Sequence, residues 1–455
     1  MIDCSKYRLS LARLEEQHEN HAHGDPTLPQ ITREMSSGLG VKPRWAEAAF
    51  ASFLSEPVRN GVYKPKDFHG RGAKIVNMGE LFANPRLTDV PMRRVELTES
   101  EIRRFSVQKG DLLFARRSLV AEGAGKCCVV LEVPEPTAFE SSIIRARPDP
   151  NKADPLFLYY YFKSPAGLHG LDMIRRQVAV AGITGTDLAN LTLVVPPASQ
   201  QRVIADILGR LDEKIELNQR LNETLEAMAR ALFNSWFVDF ELVPTKMTQV
   251  ESRDVPPGWR AGTLAEVAIA RRQNVAPADC GDETPYIGLE HMPRRSIALE
   301  TWGFAGDVKS AKSRFEKGDI LFGKLRPYFH KVGIAPVEGV CSTDIVVIAP
   351  KSPEWSAFVS ATVSSDPFVF YTDQTSNGTR MPRTSWKTMG QYPICIPPDQ
   401  LALAYQEAMQ PILARIVANI HLSRTLAQIR DILLPKLISG EISIADAETA
   451  VGAVA

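Results

Sequence analysis

The chain has 455 residues, more than one domain usually holds, so two or three domains are expected. Hydrophobic residues make up 44% and charged residues 23%, an ordinary globular balance, and no apolar run approaches the roughly eighteen residues that span a bilayer, which excludes a membrane-spanning helix. Lys and Arg number 53 and Asp and Glu 53, so net charge alone gives no reason to expect a polyanionic partner and the distribution of charge has to decide.

Residues 1–50 come first as an N-terminal extension. MIDCSKYRLS lacks the apolar core of a secretory signal, YRLSLARLEEQHENHAHGDP reads as a helix closed by Gly24 and Pro26, and no role is assigned to it. Cysteine usage agrees with a reduced, cytoplasmic setting, since Cys127 and Cys128 are adjacent and the other four are scattered.

A first body is expected over residues 51–198. Its early part is basic, with 13 Lys and Arg against 7 Asp and Glu between Arg59 and Arg117. VQKGDLLFARR sets a Gly-Asp turn ahead of a short apolar strand, CCVVLEV is a second strand, and ADPLFLYYYFKSP has helical spacing closed by Ser-Pro. GITGTD forms a late glycine turn before the closing strand LTLVVPP. The body is therefore mixed α and β.

The segment 199–240 reads as a long helix, with apolar residues at alternating steps of four and three from Ile204 to Ile215 and from Leu221 to Leu232. Ile204, Leu208, Leu211, Ile215, Asn218 and Leu225 are placed on its seam, and buried Asn218 and Asn222 there would fix register at some cost in stability. A linker over 241–256 leads to a second body, 257–398, whose basic stretch from Lys309 to Lys331 has 7 Lys and Arg against 2 acids. It repeats the first body's phrasing. FEKGDILFGKLR restates the hexapeptide, with Lys109 and Lys317 208 positions apart, and YPICIPP restates the closing strand 201 positions after LTLVVPP. CSTDIVVIAP and SPEWSAFVSATVSSDP supply a strand and a helix. Residues 399–440 then form a second long helix in register with the first, with Met409, Ile412, Ile416, Asn419 and Leu426 on the facing seam and a kink or restart expected at Pro411; 441–455 is a tail. Two copies of one helix pair naturally as antiparallel partners, giving an α+β chain of two similar bodies joined by two long antiparallel coiled-coil helices.

Ser199 to Phe237 is 39 residues, about 58 Å of helix, and a rigid antiparallel pair holding two basic bodies would make them face a rod-like polyanion such as DNA at two places. Basic residues beside aromatic and glycine-rich turns mark the candidate contacts to it. Arg116 and Arg117 follow the first hexapeptide, and Lys324, Arg326, Tyr328 and Lys331 follow the second, where Arg or Lys can reach guanine edges. Thr186 in GITGTD and Thr379 and Arg380 in SNGTR sit in turns able to bring hydroxyls and amides to phosphates. Gln177, Asn60 and Lys64 are weaker candidates. A solvated loop or a plain turn is the alternative at each of these places. No catalytic or metal-binding signature emerges: GAGK at Gly123–Lys126 has Val120 where a P-loop starts with glycine and Cys127 where it needs Ser or Thr, and the eight histidines show no zinc spacing.

Taken in order and in duplicate, the KGD(L/I)LF phrases, the two Pro-Pro closing strands, LNQRLNETLEAMARALFNSWFVDF and TLAQIRDILLPKLISGEIS resemble the specificity subunits of type I restriction-modification enzymes. The resemblance covers nearly everything after residue 50. It implies two target recognition domains that read the halves of a bipartite, asymmetric sequence in double-stranded DNA. It also implies two methyltransferase subunits docked on the helices, together with restriction and translocation subunits. No chemistry and no cofactor belong to this chain on that reading; S-adenosylmethionine, ATP and magnesium are expected on the partners. Trp236 and Phe237 are expected to lie bare until a methyltransferase subunit covers them. The rival classes are a spacer that holds two β-rich modules for protein partners and a stand-alone DNA-modifying enzyme.

Overall fold

The computed structural model describes residues 45–452 except 177–180, 242–247, 251–252, 308 and 379. The extension 1–44, Gln177 and Thr379 therefore lie outside the described residues. The chain divides into two units, one comprising Met1–Gly209 with Asp431–Ala455 and the other Arg210–Arg430, and the division falls within both long helices.

In the first unit a five-stranded sheet has the order Leu54–Asn60, Ile143–Pro148, Leu112–Ala115, Cys127–Val130, Arg86–Leu87, beside a three-stranded sheet of Arg93–Val95, His69–Val76 and Thr137–Phe139. Ala46–Ala49 pairs antiparallel with Thr192–Val195, so the strand that opens this body starts ahead of the expected boundary at residue 51. In the second unit the order is Ala268–Ala270, Ile345–Pro350, Ile320–Gly323, Val332–Ile334, with a separate five-stranded sheet, and Arg260–Thr263 pairs with the closing strand Pro393–Ile396.

The repeated hexapeptide forms the same object in both units. Its Ile/Leu/Phe run is a strand hydrogen-bonded on both sides, and Leu112, Leu113, Phe114, Ile320, Leu321 and Phe322 are all buried. The glycines, Gly110 and Gly318, both have φ of 90°, a left-handed turn that glycine alone adopts without strain. Both aspartates are buried ion-pair partners. Asp111 accepts from Arg147 Nε at 2.7 Å and Nη2 at 2.9 Å and from the Gln108 amide at 2.7 Å; Asp319 accepts from Arg271 Nε and from the Glu316 amide at 2.8 Å. KGD(L/I)LF is thus a framework element.

Helical spacing in the bodies gives paired short helices. Pro155–Lys163 is capped by Asp154, whose carboxylate accepts from the Phe157 amide, and Ser164 ends it while capping Pro165–Ile174. Ser365 plays the same double part between Ser356–Ser364 and Asp366–Gln374. A Ser-Pro or Ser-Asp-Pro step stops one helix and starts the next because the hydroxyl accepts from the new helix's free amides.

The long helices run over Ala198–Phe233, about 54 Å at 1.5 Å per residue, and Asp399–Ser439. The first ends in a π-helical turn, Asn234–Val238. The second is one continuous helix through Pro411, so of the expected kink or restart the restart does not occur; the flanking Met409 and Ile416 are buried and Ile412 half-buried. In the second unit the helices are antiparallel, since Asp212 pairs with Arg430, Asn218 with Ser423 and Asn222 with Asn419. Ile204, Leu208, Leu211, Asn218, Met409, Ile416, Asn419 and Leu426 are buried, and Ile215, Leu225 and Ile412 are half-buried. Beyond Asn218 the seam shifts. Asn222, Glu226 and Ala229 are buried while Leu221 and Met228 are exposed, so the apolar period read from Leu221 to Leu232 does not mark the seam. The expectation that Trp236 and Phe237 lie bare is also wrong. Phe237 is buried against Tyr405, Phe358 and Trp259, with ring centroids 4.7, 5.0 and 5.8 Å away, and Trp236 is half-buried against Tyr405. The expected linker includes a short antiparallel pairing of Thr248–Val250 with Arg253–Val255.

Candidate nucleic-acid interface

In the second unit three separate segments meet. The loop after the hexapeptide strand is tied to the late turn by main-chain bonds: Arg326 N donates to Pro382 O at 2.8 Å, Thr384 N to Lys324 O at 3.1 Å, and Leu325 bridges Arg383. Asn377 and Arg383 close the late turn by exchanging bonds at 3.0 and 2.9 Å around Gly378. A third segment, absent from the sequence candidates, enters where Arg295 N donates to His330 O at 2.9 Å. Arg295, Arg326 and His330 have left-handed backbone, with φ of 58°, 51° and 50°. They are three of the four described non-glycine residues with positive φ, and such strain gathers where geometry serves function.

The sequence candidates take different positions on this surface. Tyr328 is half exposed, with its ring 4.8 Å from that of Phe329. Lys324 is half-buried, and Arg380 is exposed on the late turn. Arg326 is half-buried, and its Nε is sequestered without a hydrogen-bond partner. Lys331 is turned inward, where its ammonium donates to Leu289 O; burial, with the Arg294 charge second, pulls its pKa below the usual lysine range. Arg294 and Arg295 are both exposed. Arg295 pairs with Asp366 at 2.7 Å and Arg383 with Asp344 at 3.5 Å.

The first unit joins the matching segments. Arg117–Ser118 pairs with Ala181–Gly182, and Arg116 O accepts from Ile183 N at 3.0 Å. Gly182 suits this approach, since a Cβ there would crowd Arg116 O at 3.0 Å. Arg116 is half-buried and reaches Ser141 O; Arg117 is exposed. Thr186 is exposed in the first turn of Gly185–Ala189, and the neighbouring Thr184 caps that turn by accepting from Asp187 N at 3.1 Å. Asp187, held below the usual carboxylate range first by the Thr184 hydroxyl and then by Arg176, neutralises Arg176. Lys64 is paired with Glu101 at 2.8 Å, while Asn60 and Tyr63 are exposed nearby in sequence. In each unit, then, the loop after the hexapeptide and the late glycine turn form one surface through main-chain pairing.

In both units the paired loops are carried on the duplicated framework that the repeated motifs suggested. Residues 62–227 match the family model of the type I restriction modification DNA specificity domain, in agreement with the resemblance to type I specificity subunits. The chain is 26% identical over 304 residues to the type I restriction enzyme MjaIX specificity subunit of Methanocaldococcus jannaschii, covering 63% of this chain and 69% of that one. It is 23% identical over 408 residues to the HindI specificity subunit of Haemophilus influenzae, covering 74% and 87%. The crystal structure of the type I restriction-modification S subunit from M. genitalium shares the fold, with a TM-score of 0.52 at 16% identity over 88% of this chain and 97% of that one.

Proposed function

We propose that the chain is the DNA-recognition subunit of a type I restriction-modification complex, reading a bipartite, asymmetric duplex target and directing methyltransferase and restriction subunits to it. The observation that supports this most is the match of residues 62–227 to the type I DNA specificity domain, joined to a second body built on the same hexapeptide framework. The two loop surfaces differ almost completely in side chains, Arg116 and Arg117 with Thr186 in one, Lys324, Arg326, Tyr328 and Arg380 in the other, which supports two different half-sites. Methyl transfer, with S-adenosylmethionine, and ATP- and magnesium-dependent steps fall to partner subunits in this reading, two of them methyltransferases. The setting is the cytoplasm; no helix among the described residues is long and apolar enough to cross a membrane.

Duplex binding by the chain assembled with its methyltransferase partner tests the proposal. Phosphate contacts release counterions, so affinity must fall steeply with salt, and methylation mapping must return two specified segments separated by a fixed gap. A continuous target, or binding indifferent to salt, would refute it.

A further inference from the structure

Among the arginines on the second unit's loop surface, two stand apart in how they are held. Arg295 and Arg383 are committed to Asp366 and Asp344. Among the described residues no carboxylate pairs with Arg294 or Arg326, and the two share one aromatic support: the Arg294 guanidinium lies 4.3 Å and that of Arg326 5.9 Å from the centre of the Phe329 ring. Stacking on a ring satisfies the flat face of a guanidinium and restrains its rotamers, yet leaves its in-plane N–H donors free. The support is itself fixed. Phe329 N donates to Arg326 O at 2.9 Å inside a turn bounded by the left-handed residues Arg326 and His330, and His330 O anchors Arg295 beside Arg294.

We infer that Arg294, with Arg326, reads guanine edges in the half-site met by the second unit, and that Phe329 is the positioning residue for both. This rests on the DNA-recognition reading above and assigns that surface a ligand chemistry. A stacked, preorganised fork of donors matches the paired O6 and N7 acceptors that guanine presents in the major groove, whereas a phosphate contact needs neither the ring nor the strained turn.

The test uses the full chain assembled with its methyltransferase partner. Wild type, Arg294→Ala, Arg326→Ala and Phe329→Leu are each mapped for methylated sites and titrated with duplexes at several salt concentrations. Arg294→Ala is expected to relax one G·C position in one half of the target by on the order of 10- to 100-fold, leaving the other half and the salt slope unchanged. Phe329→Leu, which removes the ring but not the donors, is expected to blur the positions affected by both arginine variants. Arg294 is exposed, so its variant retains the fold, and an unchanged melting temperature checks this. Uniform weakening on all sequences with a shallower salt slope would make Arg294 a phosphate contact and overturn the inference, as would an unchanged target. A wild-type assembly with no affinity for duplex DNA would instead overturn the proposed function and this inference with it.

Discussion

The hydrogen bond between Asn419 and Asn222 offers the sharpest test of how the helix seam is held. Asn419 Nδ2 donates to Asn222 Oδ1 at 2.9 Å, and both residues are almost wholly buried. Asn419→Leu leaves one acceptor stranded, which costs about 1–3 kcal/mol before any gain from burying the leucine. Asn222→Leu strands the Asn419 amide and also withdraws a donor from the Glu300 carboxylate, so it should cost about 1 kcal/mol more. The double variant removes both ends of the bond and should recover most of the summed loss, a coupling of about 1–3 kcal/mol. Urea unfolding followed by tryptophan fluorescence is suited to this measurement, because Trp236, Trp259, Trp302, Trp355 and Trp386 lie in the second unit and only Trp45 lies outside it. Additive single effects, within about 0.5 kcal/mol, would show that the pair is not an energetic unit.

Asp319→Ala should destabilise the second unit by about 3 kcal/mol, at the lower end for a broken buried ion pair because Arg271 is one-third exposed; denaturation midpoints measure it. Phe237→Ala should cost about 3–5 kcal/mol even in the presence of the methyltransferase subunit, since its ring is enclosed by the chain's own aromatic residues; full rescue by the partner would contradict this. Glu300 has its pKa raised, first by burial and then by the negative charges of Glu226 and Glu223, against hydrogen bonds from Gln219 and Asn222. A raised carboxyl favours the protonated fold, so its contribution is fully present below the unfolded carboxylate range and is lost as pH rises through the folded value. Glu300→Gln should therefore gain on wild type at pH 8 relative to pH 4 in parallel urea titrations, and the opposite trend would reverse the assignment.

Much of this architecture was legible because duplication repeats what the core requires. The glycine turn, the buried aspartate and the Ile/Leu/Phe strand recur because both bodies need the same turn, ion pair and central strand. The seam was legible as far as its asparagines, Asn218, Asn222 and Asn419, and less so beyond them. Past Asn218 the helix buries Asn222, bonded to Asn419, and Glu226, whose carboxylate accepts from Ser296 Oγ at 2.6 Å and Ala298 N at 3.2 Å; a hydrophobic period read through that stretch selects the exposed Leu221 and Met228 instead. Long-range aromatic packing hid Trp236 and Phe237 for a similar reason, since their partners Trp259, Phe358 and Tyr405 are distant in sequence. Arg294 had no motif around it. Its place follows from a main-chain bond between residues 295 and 330 that no local pattern announces.

The bonds that join the loop after the hexapeptide to the late turn involve main-chain atoms: Arg326 N to Pro382 O and Thr384 N to Lys324 O in one unit, Ile183 N to Arg116 O in the other. Main-chain bonds do not depend on which side chains project from the strands they join. Under the proposed function, mutation can therefore rewrite the letters a body reads while the mounting survives, and grafting residues 324–331 together with 377–383 as one block should transfer a reading preference where either segment alone would not.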